Sequence, residues 1–384
     1  MKKFVYVLNS YSDNDAGHYK HIINLLNEIS KRNIDVALFI ENLRDVPTQL
    51  DPNIQVFGLR NYRNIVFRTI DTLFLIIRLY RRGYKLFFVR ISKYPAIMAL
   101  LIRIIYPDLR IYFWLSGQGM FEKYRAMNFG LRKCRFYFLE MLPFTIISKM
   151  VTKFVTGPES MHKYFVNHGV PDNKVLIMYN DIDINYYRPV YNLEMKLQLR
   201  TKFCLPLNKE IILFVHRFSP VRKTSIYLEN LIPSVLNKFE ECVFVFVGDG
   251  PDLPKILNIF KDFISNGRCV FLGAKVESEV LDLYQLSDIF INPTYSEGFP
   301  RVILEAMACG LPIVTTDAGG IKDILSELQF ELMSDREKPQ DFTSNFIKLK
   351  KDLNLRNMII EENLERVKKF STTSVTQTYL SLLN

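Results

Sequence analysis

The chain has 384 residues, too many for one ordinary hydrophobic core, so two domains of roughly 150–200 residues each are expected. Its 48% hydrophobic and 23% charged residues exclude global disorder. The five cysteines (Cys134, Cys204, Cys242, Cys269, Cys309) form no CxxC pair and no histidine stands at ligand spacing, which argues against a disulfide framework or zinc site and fits a reducing compartment.

In chain order, the short apolar run in MKKFVYVLNS is too brief for a signal-peptide core and predicts a first buried strand over Lys3–Leu8. Helical spacing follows over Gly17–Ser30, then strands at Asp35–Ile40, Leu86–Arg90, Arg110–Trp114, Thr152–Val155 and Val175–Met178. Residues 179–191, YNDIDINYYRPVY, have no period and interrupt this rhythm. A second series then places strands at Ile211–Val215, Val243–Val247, Cys269–Leu272, Ile289–Asn292 and Ile313–Thr315. Its helices are expected over Ser225–Lys238, Pro254–Ile264, Ser278–Leu286 and Pro300–Cys309. The tail from Gln340 is helical in pattern. Alternating β and α segments predict parallel sheets covered on both faces, hence two Rossmann-like α/β domains with ligands at the carboxyl ends of the strands.

The net charge of +10 is uneven. Residues 51–150 hold 17 Lys and Arg against 5 Asp and Glu, interleaved with Phe, Tyr, Ile and Leu as in RNIVFRTIDTLFLIIRLYRR. No uncharged apolar run reaches the length of a membrane span. The stretch fits either core helices with solvated basic faces or helices lying on an anionic membrane surface. No recognition motif accompanies the charge, so nucleic acid is not expected as a partner.

Several features of the second half fall just after predicted strands. In VHRFSPVRKT, Arg217 is followed by Arg222 and Lys223, three cations suited to a diphosphate. VGDGP offers a tight turn at Gly248–Pro251. In SEGFPRVILEAMACGLP, Pro300 suits the first helical position. The amides near Gly298, Phe299, Arg301 and Val302, with the helix dipole, would favour an anion there. Glu297 precedes that start, and Glu305 stands in an uncharged run where a charge needs a partner.

From about residue 152 to 326 these segments resemble family-4 glycosyltransferases. The family's Glu-x7-Glu reads EGFPRVILE here, HRFSPVRK resembles its Gly-Arg…Lys phosphate loop, and VGDGP matches directly. The resemblance implies a GT-B fold: an acceptor domain over 1–185 with the C-terminal helix of about 368–384 crossing back to it, a donor domain over 186–367, and a cleft between them. It implies a retaining, metal-independent enzyme without cofactor, moving a sugar from a UDP- or GDP-type nucleotide sugar to a saccharide acceptor. By the resemblance, Arg217 with Lys223 or Arg222 would bind the diphosphate and Glu305 the ribose. Glu297 would act at the sugar as the catalytic carboxylate, and Gly298, Phe299 and Pro300 would line the sugar and phosphate. GAKVES would meet the base, with Glu277 a further candidate there.

In the first half the family's Gly-rich loop is reduced to NSYSDNDAGHYKH, leaving Gly17 and His18 as candidates for the acceptor and phosphate loop. Many members place a His just past the strand that ends here at Trp114. FWLSGQGMFEK has none, so Ser116, Gly117 and Gln118 are the candidates. The strings DND at 13–15 and DID at 181–183 are short and common by chance, so no metal site is expected. The basic, aromatic first half suggests a lipid-linked acceptor in capsule, exopolysaccharide or O-antigen assembly, with the protein cytoplasmic and peripheral at the inner membrane face. The alternatives are a non-catalytic sugar-nucleotide-binding protein and a GT-B sugar-nucleotide epimerase.

Overall fold

The computed structural model describes residues 2–12, 16–59 and 64–383, with the side chains of residues 16–18 outside the description. The chain divides into two compact units, Met1–Asp181 with Thr372–Asn384, and Ile182–Ser371.

The first unit is built on a parallel seven-stranded sheet. Its strands are β1 (Lys2–Tyr11), β2 (Ile34–Leu43), β3 (Gln55–Gly58), β4 (Leu86–Arg90), β5 (Arg110–Trp114), β6 (Lys153–Thr156) and β7 (Val175–Ile177), in the order β3-β2-β1-β4-β5-β6-β7. Alternation along β1 feeds two cores, because successive side chains leave a strand on opposite faces. Val5 and Val7 join Phe87, Val89, Ile111 and Phe113 beneath the helices Ile65–Arg81, Lys93–Ile105 and Leu142–Met150. Phe4 and Tyr6 join Phe88, Tyr112 and Trp114 beneath Ala16–Ser30 and the C-terminal helix Thr372–Ser381, whose Val375 and Tyr379 complete that layer. With both faces covered, the buried middles of the central strands, Phe4–Leu8 and Leu86–Val89, are continuous apolar runs. The helix Ile65–Arg81 starts where the Asn64 side chain accepts from the amides of Val66 and Phe67 at 2.8 and 3.4 Å.

The second unit repeats the plan with β8 (Glu210–Val215), β9 (Cys242–Val247), β10 (Cys269–Phe271), β11 (Ile289–Asn292), β12 (Ile313–Thr316) and β13 (Met333–Ser334), ordered β10-β9-β8-β11-β12-β13. All its pairings are parallel; Ile212 stands opposite Phe244 on β9 and Ile289 on β11. In each sheet the strand order reverses once, between β1 and β4 and between β8 and β11. These are the switch points at which doubly wound sheets open a crevice beyond the strand ends.

The sequence pattern does not predict β3 or β13. They are edge strands of four and two residues, too short for a period-2 pattern to register. The helix expected over Pro254–Ile264 is two, Leu253–Ile259 and Lys261–Ser265, because Phe260 leaves helical geometry at φ −104° and ψ 18° to bury its ring. Pro300 is not the first helical residue. Its ψ of 115° is extended, so it caps the helix Arg301–Ala308 from outside.

Candidate active site

The loops after β8 and β11 flank the switch point of the second sheet and carry most of the chemistry. The loop after β8 is held by backbone bonds to the next strand end. His216 N–H donates to Val247 O at 3.0 Å and Phe218 N–H to Asp249 O at 3.1 Å. This packing explains the glycines of VGDGP. A Cβ on Gly248 would stand 1.9 Å from His216 O, and one on Gly250 2.0 Å from Phe218 O. Here the glycines let two strand-end loops touch, and the cationic loop is positioned by that contact.

His216 is a site residue that sequence reasoning misses. Its Nδ1 accepts from the Arg217 amide at 2.9 Å, which leaves Nε2 to donate to Glu297 Oε1 at 2.5 Å. Arg222 packs its guanidinium against the same ring and stands 3.3 Å from Glu297 Oε1. Thr294 Oγ1 adds a donor at 3.5 Å. Glu297 is buried, and burial alone would raise its pKa. The hydrogen bond from His216, with the Arg222 charge and the Thr294 hydroxyl, outweighs this and holds the carboxyl below its ordinary value. The one local signal for His216 is its place, directly before Arg217 at a strand end.

A depressed folded-state pKa means stability present above the unfolded value and lost as pH falls through the folded one. Denaturant titrations should therefore show the wild type losing stability as pH falls below the ordinary glutamate value of ~4.3, and Glu297→Gln losing less. Identical acid limbs in the two proteins would count against the ion pair.

The three cations separate. Arg222 turns inward onto Glu297, whereas Arg217 and Lys223 are exposed. Lys223 adopts φ 48° just ahead of the helix Thr224–Leu236 and lays its ammonium 3.7 Å from the Tyr295 ring centroid. Gly298 O accepts from Gly320 N–H at 2.9 Å, fixing the turn that carries Glu297. Phe299 buries its ring edge-on against Phe370, 5.7 Å between centroids, so only its backbone is offered to a ligand. Pro300 at the N-cap has no side-chain acceptor and makes no capping hydrogen bond to the start of Arg301–Ala308.

Glu305 lies one turn into that helix and is 9% exposed. Oε2 accepts from Tyr284 Oη at 3.1 Å, and Arg301 Nη2 stands 3.8 Å from Oε1. Burial dominates and raises the Glu305 pKa, with Glu277 adding to it and Arg301 and Tyr284 opposing. Tyr187, from the aperiodic segment, donates to Glu277 Oε1 at 3.3 Å and packs edge-on to Tyr284. This segment therefore contributes to the Glu305 environment, which its lack of period conceals. Glu297 and Glu305 serve different surroundings, one cationic and one phenolic.

In the first unit, Gly17, His18 and the DND string at 13–15 lie outside the described residues and side chains. Ser116 Oγ donates to Gly157 O at 2.8 Å. Gly117 has φ 100° with open space beside it, and Gln118 precedes the helix Gly119–Ala126 without capping it. The switch point itself lies at the end of β4, where the sequence offers no motif. Arg90 there bonds Asn180 Oδ1 at 3.1 Å and lies 4.0 Å over Trp114. Ile91 follows at φ 65°, a strained geometry for a β-branched residue and one concentrated at functional sites.

Two parallel α/β units, with this constellation at a switch point, correspond to the GT-B fold. Residues 196–366 match the model of the family Glycosyl transferases group 1. The fold is therefore GT-B, and the family match covers 171 of the 384 residues, all within the second unit.

Among curated proteins, the chain is 26% identical over 269 residues to N,N'-diacetylbacillosaminyl-diphospho-undecaprenol alpha-1,3-N-acetylgalactosaminyltransferase of Campylobacter jejuni, covering 70% of this chain and 68% of that protein. It is 26% identical over 210 residues to N-acetyl-alpha-D-glucosaminyl L-malate synthase of Bacillus anthracis, covering 54% and 53%. Among solved structures, HepE of Anabaena in complex with UDP superposes with a TM-score of 0.77 at 16% identity, over 100% of this chain and 99% of that one. HepE with UDP-glucose gives 0.76 at the same identity, with the same coverage of both chains.

Proposed function

We propose that this protein transfers a sugar, with retention, from a UDP- or GDP-type nucleotide sugar to a lipid-linked saccharide in cell-surface polysaccharide assembly. The observation that carries this reading is Glu305. A buried carboxylate on the helix that starts after Pro300, with the exposed cations Arg217 and Lys223 on a loop across the same switch point, matches the parts of a nucleotide diphosphate sugar. Glu305 would accept from ribose hydroxyls, and Arg217 and Lys223 would neutralise the diphosphate. The helix start at Gly298–Pro300 would face its anionic oxygens. Glu297, oriented by His216 and Arg222, would act at the sugar. The leaving diphosphate is met by protein cations in this scheme, so transfer should continue in the presence of a chelator.

The acceptor half of the proposal draws support from the Campylobacter relative, whose name specifies an undecaprenol-diphosphate-linked sugar. Donor choice draws support from HepE, solved with UDP and with UDP-glucose. A lipid-linked acceptor would place the protein at the inner face of the membrane. No described helix is long and apolar enough to cross one.

The test is a thermal-shift screen of UDP-, GDP- and ADP-sugars. A donor at about 100 times its dissociation constant stabilises the fold by ~2.7 kcal/mol. A clear rise in melting temperature is expected with one base, and a much smaller one in Arg217→Ala. No rise with any nucleotide sugar would overturn the reading. Conversion of the donor without acceptor would favour an epimerase, and donor binding without product across an acceptor panel would favour a binding protein.

A further inference from the structure

We propose that the helical layer formed in the first unit by Ile65–Arg81, Lys93–Ile105 and residues 131–150 is a docking surface for an anionic lipid bilayer, with a basic cleft in it that seats a lipid phosphate. The inference extends the lipid-linked acceptor reading, and its test uses neither donor nor acceptor, so the two can fail separately.

The layer covers one face of the first sheet. Its inward residues, among them Leu75, Leu79, Ala99, Ile102, Phe144 and Ile147, belong to a single core. The helices Ile65–Arg81 and Lys93–Ile105 pack on each other, and Lys93–Ile105 also packs on Leu142–Met150. A helix buried on one side should be polar on the other. Here the outward side is apolar as well. Phe67, Ile70 and Phe74 form an exposed stripe at helical spacing, and Phe74 is 68% exposed. On the next helix Ile104 is 72% exposed, and past it Leu131 is 92% and Phe138 64% exposed. The run 131–150 contains a π turn at Tyr137–Met141, where three successive apolar side chains, Tyr137, Phe138 and Leu139, all face solvent. Turns of this kind recur at functional sites. Exposed apolar side chains gathered on adjoining helices mark an interaction site when they form a patch rather than stand singly.

Charge selects the partner. Beside Phe138 and Leu139 lies a cleft of about 290 Å³ lined by Lys123, Arg132, Arg135, Phe136 and Glu140. The one carboxylate of the lining, Glu140, is paired with Lys93, so the three lining cations are in excess. Arg78, Arg81, Arg82 and Lys149 are exposed on the same layer. Apolar and aromatic side chains that can enter the acyl boundary, ringed by Lys and Arg that reach phosphates, are what an interfacial helix needs. No described helix of this layer is long and apolar enough to cross a bilayer, so the layer would lie on one.

The experiment is co-sedimentation of the full chain with phosphatidylcholine vesicles, with and without phosphatidylglycerol. Pelleting is expected only with phosphatidylglycerol. Arg132→Glu with Arg135→Glu should weaken it at least about tenfold, since each basic residue near an anionic surface contributes about 1 kcal/mol. Phe74→Ser with Ile104→Ser should weaken it comparably by removing the inserted side chains. All four positions are exposed, so unchanged melting temperatures without vesicles are expected and establish folding. Absence of pelleting, equal pelleting with pure phosphatidylcholine, or pelleting that both double variants leave intact would each overturn the proposal. So would self-association of the wild type that accounts for the apolar face without lipid.

Discussion

Glu305→Ala should abolish sugar transfer while leaving the chain folded. The proposed role is to accept hydrogen bonds from two ribose hydroxyls. Bonds to a charged group contribute ~1.5–3 kcal/mol each, so losing both lowers kcat/KM by a factor of about 10²–10⁴. The cost to the fold is much smaller, for a physical reason visible in the structure. Burial pushes the Glu305 carboxyl up, and only Arg301 at 3.8 Å and the Tyr284 hydroxyl at 3.1 Å offset it. Truncation removes a poorly compensated charge along with one hydrogen bond, a net change of about 1–2 kcal/mol. Steady-state kinetics with the donor found by thermal shift, alongside denaturant unfolding of both proteins, separates the two effects. Wild-type turnover in the variant would sink the assignment of Glu305, and loss of the folded state would show that its role is structural.

Gly248→Ala adds a single methyl group, yet it should destabilise the protein strongly and damage the site as well as the fold. Gly248 has φ 134°, a region nearly closed to other residues, which costs ~1–3 kcal/mol by itself. The added Cβ would also stand 1.9 Å from His216 O and 2.9 Å from its carbonyl carbon. Backbone must then move, and the backbone that moves carries His216 and Arg217. Gly273 supplies the control. It too has positive φ, at 69°, but nothing lies within 4 Å of where its Cβ would be. Gly273→Ala should cost about 1–2 kcal/mol, and Gly248→Ala at least about 2 kcal/mol more. In the Gly248 variant the donor-induced thermal shift should shrink, because the cationic loop is displaced. Equal losses of stability in the two variants would show that the β8 and β9 loops are not held by this contact.

The central strands are legible because burial on both faces makes them continuous apolar runs bounded by polar turns. Leu86–Arg90, Arg110–Trp114 and Ile289–Asn292 lie where the pattern predicts. The edge strands Gln55–Gly58 and Met333–Ser334 are not legible, since four and two residues hold too little pattern. Among the site residues, Glu297, Glu305 and the cationic loop stand out because charge in an apolar run, or at a strand end, is a local anomaly. His216 and Tyr187 do not, because their significance lies in partners 81 and 90 residues away.

By itself, the order of residues determined the class of fold and the inventory of charged groups at the second sheet's strand ends. Period, turn residues and isolated charges are local properties written into short windows of chain. Only the tertiary structure decided how that inventory is shared out. It turned Arg222 inward to Glu297 through His216, and left Arg217 and Lys223 exposed. It set Glu305 against Tyr284, and turned the glycines of VGDGP into contact points between loops. It also decided which apolar residues of the basic first half are core and which face solvent. Both groups share one composition, and only packing against the sheet distinguishes Leu75 from Phe74.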